Sequence, residues 1–272
     1  MDLGLDGARV CVQGGTHGMG RAAALAFATE GARVVVLARD TERLEATVAD
    51  LAEHGSPEAF GVSTDVRDRA SVDRAFAEIG ARWGQLNSLV CAVGPAVANV
   101  PWNELTDDQW LAAFDLGAMS AVRCARAALP LFRAAGWARI VNLAAMSARS
   151  HGFGLADYTA AKAALTSITK NLSLELATHG VLANVVSPGT FVTEQLRRHI
   201  DTVPSAAAAQ VDPADLSSVM RWIQKQYHVR ADLGRAGDPD EIAAVICFLG
   251  SRRNTYTTGA NVNVDGGSSF YA

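Results

Sequence analysis

Tyr158 and Lys162 stand four residues apart in the stretch Tyr158-Thr159-Ala160-Ala161-Lys162. The Ala- and Leu-rich segment that carries them, Ala156 to Ala177, repeats apolar residues every three or four positions, which predicts a helix. Residues four apart on a helix share a face, so the phenol and the ammonium are neighbours. A free tyrosine ionises near pH ~10, and a cation within about 4–6 Å favours the phenolate and lowers that value. The pair is therefore expected to work as a general acid/base unit. The alternative is a surface tyrosine beside an unrelated lysine.

The elements that must position such a pair alternate along the chain. Strand-like runs are expected at 9–13, 33–38, 59–63, 88–92, 140–143, 182–186 and 261–264. Helical stretches fall between them at 18–29, 41–54, 69–83, 107–135, 156–177 and 239–251. This alternation implies an α/β fold, a doubly wound parallel sheet with helices on both faces. No repeat or composition shift divides the 272 residues, so one domain over 1–272 is expected.

Apolar residues make up 49% and charged residues 19% of the chain, which argues for a substantial core. A net charge of -4 with scattered Lys and Arg gives no footprint for nucleic acid. The first seven residues lack a signal-peptide pattern, and no apolar run is long enough to span a bilayer. Cys11, Cys91, Cys124 and Cys247 lack metal-ligand spacing and read as reduced, buried thiols. A cytoplasmic protein with no membrane, nucleic-acid or metal partner is expected.

The first strand runs into Gly14-Gly15-Thr16-His17-Gly18-Met19-Gly20, which opens a helix. Glycines there allow a tight turn and a close backbone approach to a pyrophosphate, whose charge the helix N-terminus favours. The spacing Gly14-xxx-Gly18-x-Gly20 followed later by Tyr158-xxx-Lys162 resembles the short-chain dehydrogenase/reductase family, with Gln13 where that family's TGxxxGxG motif has Thr. The resemblance covers nearly the whole chain. Thr64-Asp65-Val66 looks like the family's adenine-contacting segment. Cys91-Ala92-Val93-Gly94 sits where the family writes NNAG. Pro188-Gly189-Thr190-Phe191-Val192-Thr193 matches its PGxxxT loop beside the nicotinamide. The C-terminal stretches 234–237, 239–243 and 264–267 match as well.

The resemblance implies a Rossmann-type oxidoreductase acting on a carbonyl or alcohol substrate. Tyr158 would exchange the proton, while Lys162 would lower the tyrosine's pKa and hold the nicotinamide ribose. Gly14, Thr16, His17, Gly18, Met19, Gly20, Asp65, Val66, Cys91, Ala92, Gly94, Pro188, Gly189, Phe191 and Thr193 would surround the cofactor. It also implies a homodimer or homotetramer through the long fourth helix and the tyrosine-bearing helix. The second strand ends in Ala38-Arg39, where an acidic residue would accept from the 2′-hydroxyl of NAD. A guanidinium suits a 2′-phosphate instead. With His17 nearby this favours NADP(H), NAD(H) being the alternative.

The chain departs from the family at two places. The Ser expected about thirteen residues before the Tyr is Ala145, with Ser147 two residues on. The Asn expected in the fourth helix is Gly117, which leaves space and no side chain. These changes keep open a non-redox use of the fold, such as dehydration, cyclisation or isomerisation, with the nucleotide as a structural element. Residues 194–233 are longer than in compact relatives and suggest an enlarged lid. Ser205–Gln210 reads as helix, and Asp215–His228 as an amphipathic one with Leu216, Val219, Met220 and Ile223 on its apolar stripe. Such a lid would suit a bulky, apolar carbonyl substrate, with Phe153, Phe191 and Trp222 lining its pocket; an extra surface helix packed on the body is the alternative.

Overall fold

A computed structural model describes residues 1–97, 99–149, 152 and 154–268. Seven parallel strands form one sheet in the order β3-β2-β1-β4-β5-β6-β7: β1 Arg9–Gln13, β2 Arg33–Ala38, β3 Ala59–Ser63, β4 Ser88–Cys91, β5 Ala138–Leu143, β6 Val181–Pro188 and β7 Asn261–Val264. Parallel strands covered on both faces must be apolar on both. β2 shows it: Val34 and Val36 enter one core, Val35 and Leu37 the other. The expected doubly wound sheet is what the chain forms.

Helices α1 Gly18–Thr29, α2 Thr41–Glu53, α3 Arg69–Trp83, α4 Asp107–Phe114, α5 Ser120–Ala134, α6 Ala156–Leu176 and α10 Pro239–Leu249 cover the two faces. Their starts are chemically marked. Asp40, Asp68, Thr106 and Asp238 each accept a first-turn N–H at the N-cap. The expected single helix over 107–135 is broken: Asp115–Met119 forms a π-helical turn between α4 and α5. A π turn holds one residue more than the α-helix around it, and nothing in the apolar spacing announces it.

The segment after β6 folds into α7 Glu194–Thr202, α8 Pro204–Ala208 and α9 Leu216–Tyr227. These helices carry a core of their own, with Val192, Ile200, Ala206, Val219, Met220, Trp222 and Ile223 packed together. The apolar stripe of α9 is thus covered by this segment's own core. Trp222 is buried there and donates from Nε1 to Ser205 Oγ at 3.3 Å. Phe191 also leaves the pocket role expected of it: it lies in the sheet's core, its ring against Gly237. Phe153 lies outside the described residues. Among the described residues no helix is long and apolar enough to cross a membrane.

Candidate active site

The strand order reverses between β1 and β4, the point where open α/β sheets leave a crevice beyond their C-terminal edge. A cavity of about 580 Å³ opens there. Gly14, His17, Gly18, Met19 and Gly20 form one wall. A Cβ on Gly20 would stand 2.2 Å from the carbonyl oxygen of Gly14, so the turn closes only with glycine. His17 is the N-cap of α1 but makes no capping bond, and the first turn holds no acidic residue. The N–H groups of this twelve-residue helix therefore face the cavity with no side-chain acceptor. They suit a pyrophosphate, whose anionic charge the helix dipole favours. The residues present fit a dinucleotide.

Ala38, Arg39, Asp65, Val66 and Arg67 line the far end. Arg67 donates from Nη2 to Asp65 Oδ2 at 2.8 Å and from Nε to Oδ1 at 3.2 Å, and its own backbone N–H adds a third bond at 3.0 Å. Hydrogen bonding to the charged form holds the Asp65 carboxyl down at about 2. Arg123 on α5 steadies this loop by donating to Val66 O at 3.3 Å, while also pairing with Asp115 in the π turn. Arg67 carries no motif of its own. Sequence reasoning missed it because its place depends on Asp65.

At the other end Tyr158 and Lys162 line the same cavity. Lys162 is buried, and its ammonium donates to Leu143 O at 2.7 Å and reaches Val93 O at 3.5 Å. Gly94 makes room for it: a Cβ there would meet Lys162 Nζ at 2.8 Å. Burial brings the Lys162 ammonium down to about 8, against a small opposing pull from Cys91. Burial likewise pushes the Tyr158 phenol up to about 12, so it is protonated at neutral pH. In the free protein burial alone sets the direction of the phenol's shift. The lysine's hydrogens go to main-chain carbonyls instead.

Of the other residues expected around a cofactor, Ala92, Pro188 and Thr193 line the cavity, whereas Thr16, Cys91, Gly189 and Phe191 do not. Cys91 is buried in the sheet, and Gly189 lies so close to Asp265 that a Cβ would meet its Cα at 2.7 Å. Thr193 caps α7, its Oγ accepting from Leu196 N at 3.3 Å, which leaves the hydroxyl proton free to donate. Of residues 194–233, Gln195 alone lines the cavity. Gln13, in the place of the motif's Thr, is fully buried, and neither atom of its amide has a hydrogen-bond partner.

Ala145 is buried just past β5. Ser147 follows in a short 3₁₀ turn, Met146–Ala148, off the cavity wall. Gly117 lies in the π turn, and the space expected beside it is filled. A Cβ there would stand 2.8 Å from Ala161 Cβ and 3.1 Å from Pro95 Cδ. Gly117→Asn is accordingly expected to destabilise by about 1–3 kcal/mol through overpacking. Denaturant titration would check it, and Ala161→Gly in the same chain should recover part of the loss.

A crevice at the switch point of a parallel sheet, an uncapped glycine turn and a Tyr–Lys pair on one helix define a dinucleotide-binding α/β protein. A family model described as enoyl-(acyl carrier protein) reductase matches residues 14–269. The chain belongs to the short-chain dehydrogenase/reductase family. It is 33% identical over 270 residues to a 3beta-hydroxysteroid dehydrogenase of Mediterraneibacter gnavus, covering 96% of this chain and 94% of that protein. It is 31% identical over 261 residues to an NAD(+) 2-dehydro-3-deoxy-L-rhamnonate dehydrogenase of a Sphingomonas species, covering 96% and 94%. The crystal structure of L-sorbose reductase from Gluconobacter frateurii, complexed with NADPH and L-sorbose, superposes with a TM-score of 0.89 at 28% identity over all of both chains.

Proposed function

We propose that this protein is an NADP(H)-dependent oxidoreductase that interconverts a carbonyl compound and its secondary alcohol. The carrying observation is that Tyr158 and Lys162 close one end of a single cavity whose other parts are the uncapped glycine turn and Arg39. The nicotinamide cofactor supplies or accepts the hydride. The rest falls to the chain's own residues. Tyr158, kept protonated by burial, donates to the substrate oxygen in the reducing direction. Lys162, one turn along the same helix, stabilises the phenolate left behind and, near 8, can itself yield a proton at neutral pH. Thr193 has a hydroxyl proton for the carboxamide side, and the N-terminus of α1 receives the pyrophosphate. The relatives' names divide between cofactors and between steroid and sugar substrates. With the lid's apolar stripe buried in its own core, support for a bulky apolar substrate rests on the cavity's own walls at Pro95, Val97 and Leu116.

Fluorescence titration is expected to show NADPH bound about tenfold more tightly than NADH, and Arg39→Gln to remove that preference while sparing NADH. Tighter binding of NADH by the unaltered protein would overturn the cofactor choice. Following NADPH absorbance across a panel of ketones tests the reaction itself. Buried Ala145 and the filled space at Gly117 favour a second reading, non-redox acid/base chemistry by Tyr158 with the nucleotide structural. Product formed with no change in NADPH would select it.

The same reading includes a homodimer or homotetramer. Leu111 and Phe114 on α4 and Leu174 on α6 are exposed large apolar residues on the two helices expected to meet a second copy. Four free, buried cysteines suit the reducing cytoplasm.

A further inference from the structure

Two helices that start beside cavity residues are joined by an ion pair. α2 begins just past Ala38 and Arg39, and α7 begins at Glu194, between the cavity residues Thr193 and Gln195. Arg43, in the first turn of α2, forks onto Glu194: Nη1 to Oε2 and Nη2 to Oε1, both at 3.2 Å. His17 lies beside this bridge. Its ring lines the cavity and feels Arg43, Glu194 and Arg198. Arg198 in turn stands 3.8 Å from Glu194. Asp40, the other anion close to Arg43, caps α2 by accepting from Arg43 N at 3.1 Å, and its Oδ2 stands 3.6 Å from Arg43 Nε.

A 2′-phosphate placed between Arg39 and His17 would enter this charged group. A guanidinium fork fits a phosphate as well as a carboxylate, and a phosphate brings the greater negative charge. We propose that Arg43 is a third cation of the 2′-phosphate subsite, held by Glu194 in the free protein and surrendered to the phosphate when NADP(H) binds. The inference rests on the NADP(H) reading above. It gives the two ends of one ion pair opposite roles, Arg43 as a ligand and Glu194 as the phosphate's competitor. Release of Glu194 also frees the first turn of α7 beside Thr193, so recognition of the 2′-phosphate loosens the lid at its hinge with the nicotinamide side.

Opposite signs are the test, because a purely structural clasp would make both substitutions act alike. Dissociation constants for NADPH and NADH would be measured by fluorescence on the full chain and on Arg43→Gln, Glu194→Gln and Arg39→Gln. Melting curves would confirm that each variant is folded. Arg43→Gln should weaken NADPH about tenfold, Glu194→Gln should tighten it several-fold, and NADH should move less than about twofold in either. Shifts in the same direction, or equal shifts for NADH, would overturn the proposal. If Arg39→Gln changes the NADPH/NADH ratio and Arg43→Gln does not, the subsite loses Arg43 while the NADP(H) reading stands. A protein that binds NADH more tightly overturns both.

Discussion

Replacing Tyr158 by phenylalanine is expected to lower turnover by about 10²–10⁴ while the dissociation constant for the dinucleotide stays within a few-fold. The substitution removes one oxygen from a group whose ring is held by α6, so the cavity keeps its shape. It also removes the donor best suited to give a proton to a substrate oxygen. The neighbouring ammonium is a poor substitute, because its bond to Leu143 O at 2.7 Å holds it against the sheet. Steady-state rates and a cofactor titration on the same preparation separate the two quantities. A variant as active as the original would place the chemistry elsewhere in the cleft. The pH dependence follows from the same burial. With the phenol up at about 12 in the free protein, the acid form is present throughout the neutral range. Reduction should not lose its proton donor as pH rises from 6 to 9, whereas alcohol oxidation, which needs the phenolate, should quicken over that interval.

Ala145→Ser is expected to raise kcat/KM for a ketone by up to about 10²–10³, the effect of adding one donor, roughly 3–4 kcal/mol, at a developing oxyanion. Ala145 occupies the position where the family resemblance expects a serine, in extended conformation (φ -162°, ψ 150°) just past β5. Its place beneath the cavity wall means that the new hydroxyl must find a partner. A stability loss of about 1–3 kcal/mol would accompany a hydroxyl left unpaired. Measuring kcat/KM alongside the melting temperature distinguishes these results. A folded variant with unchanged kcat/KM would mean that the substrate oxygen already has its donor, from the loop after β5, from Gln195 or from the substrate itself.

The parts of this fold that were legible in the sequence are those with a local physical cause. Strands β1, β2, β3 and β7 lie where β-branched runs predict them, and α1 and α3 begin and end as expected. The glycine turn was legible because its spacing is a steric requirement, visible as the clash that a Cβ on Gly20 would make. Tertiary facts were not legible. The π turn at Asp115–Met119 leaves no periodicity of its own, so counting to Gly117 gave the position but not the Ala161 and Pro95 that fill it. An apolar stripe on α9 says that something covers it, and not that the cover is the rest of the lid. α7 went unseen because Ile200 is its one buried residue and charged side chains supply half of the rest. Arg43 and Glu194 are 151 positions apart, beyond any spacing rule. The burial that raises the Tyr158 phenol is a tertiary fact too, invisible in the four-residue spacing to Lys162.

The three lid helices bury their apolar residues against one another and touch the cleft through Thr193 and Gln195. The stretch from 194 to 233 is therefore a piece with a core of its own, tied to the body through the Arg43–Glu194 pair and the bond from Leu233 N–H to Gly266 O. Mutations in Val219 or Trp222 would alter how that piece holds together, and changes at Gln195 would alter what it admits. Inheritance can act on those two properties separately, which gives one nucleotide-binding body the means to serve many different guests.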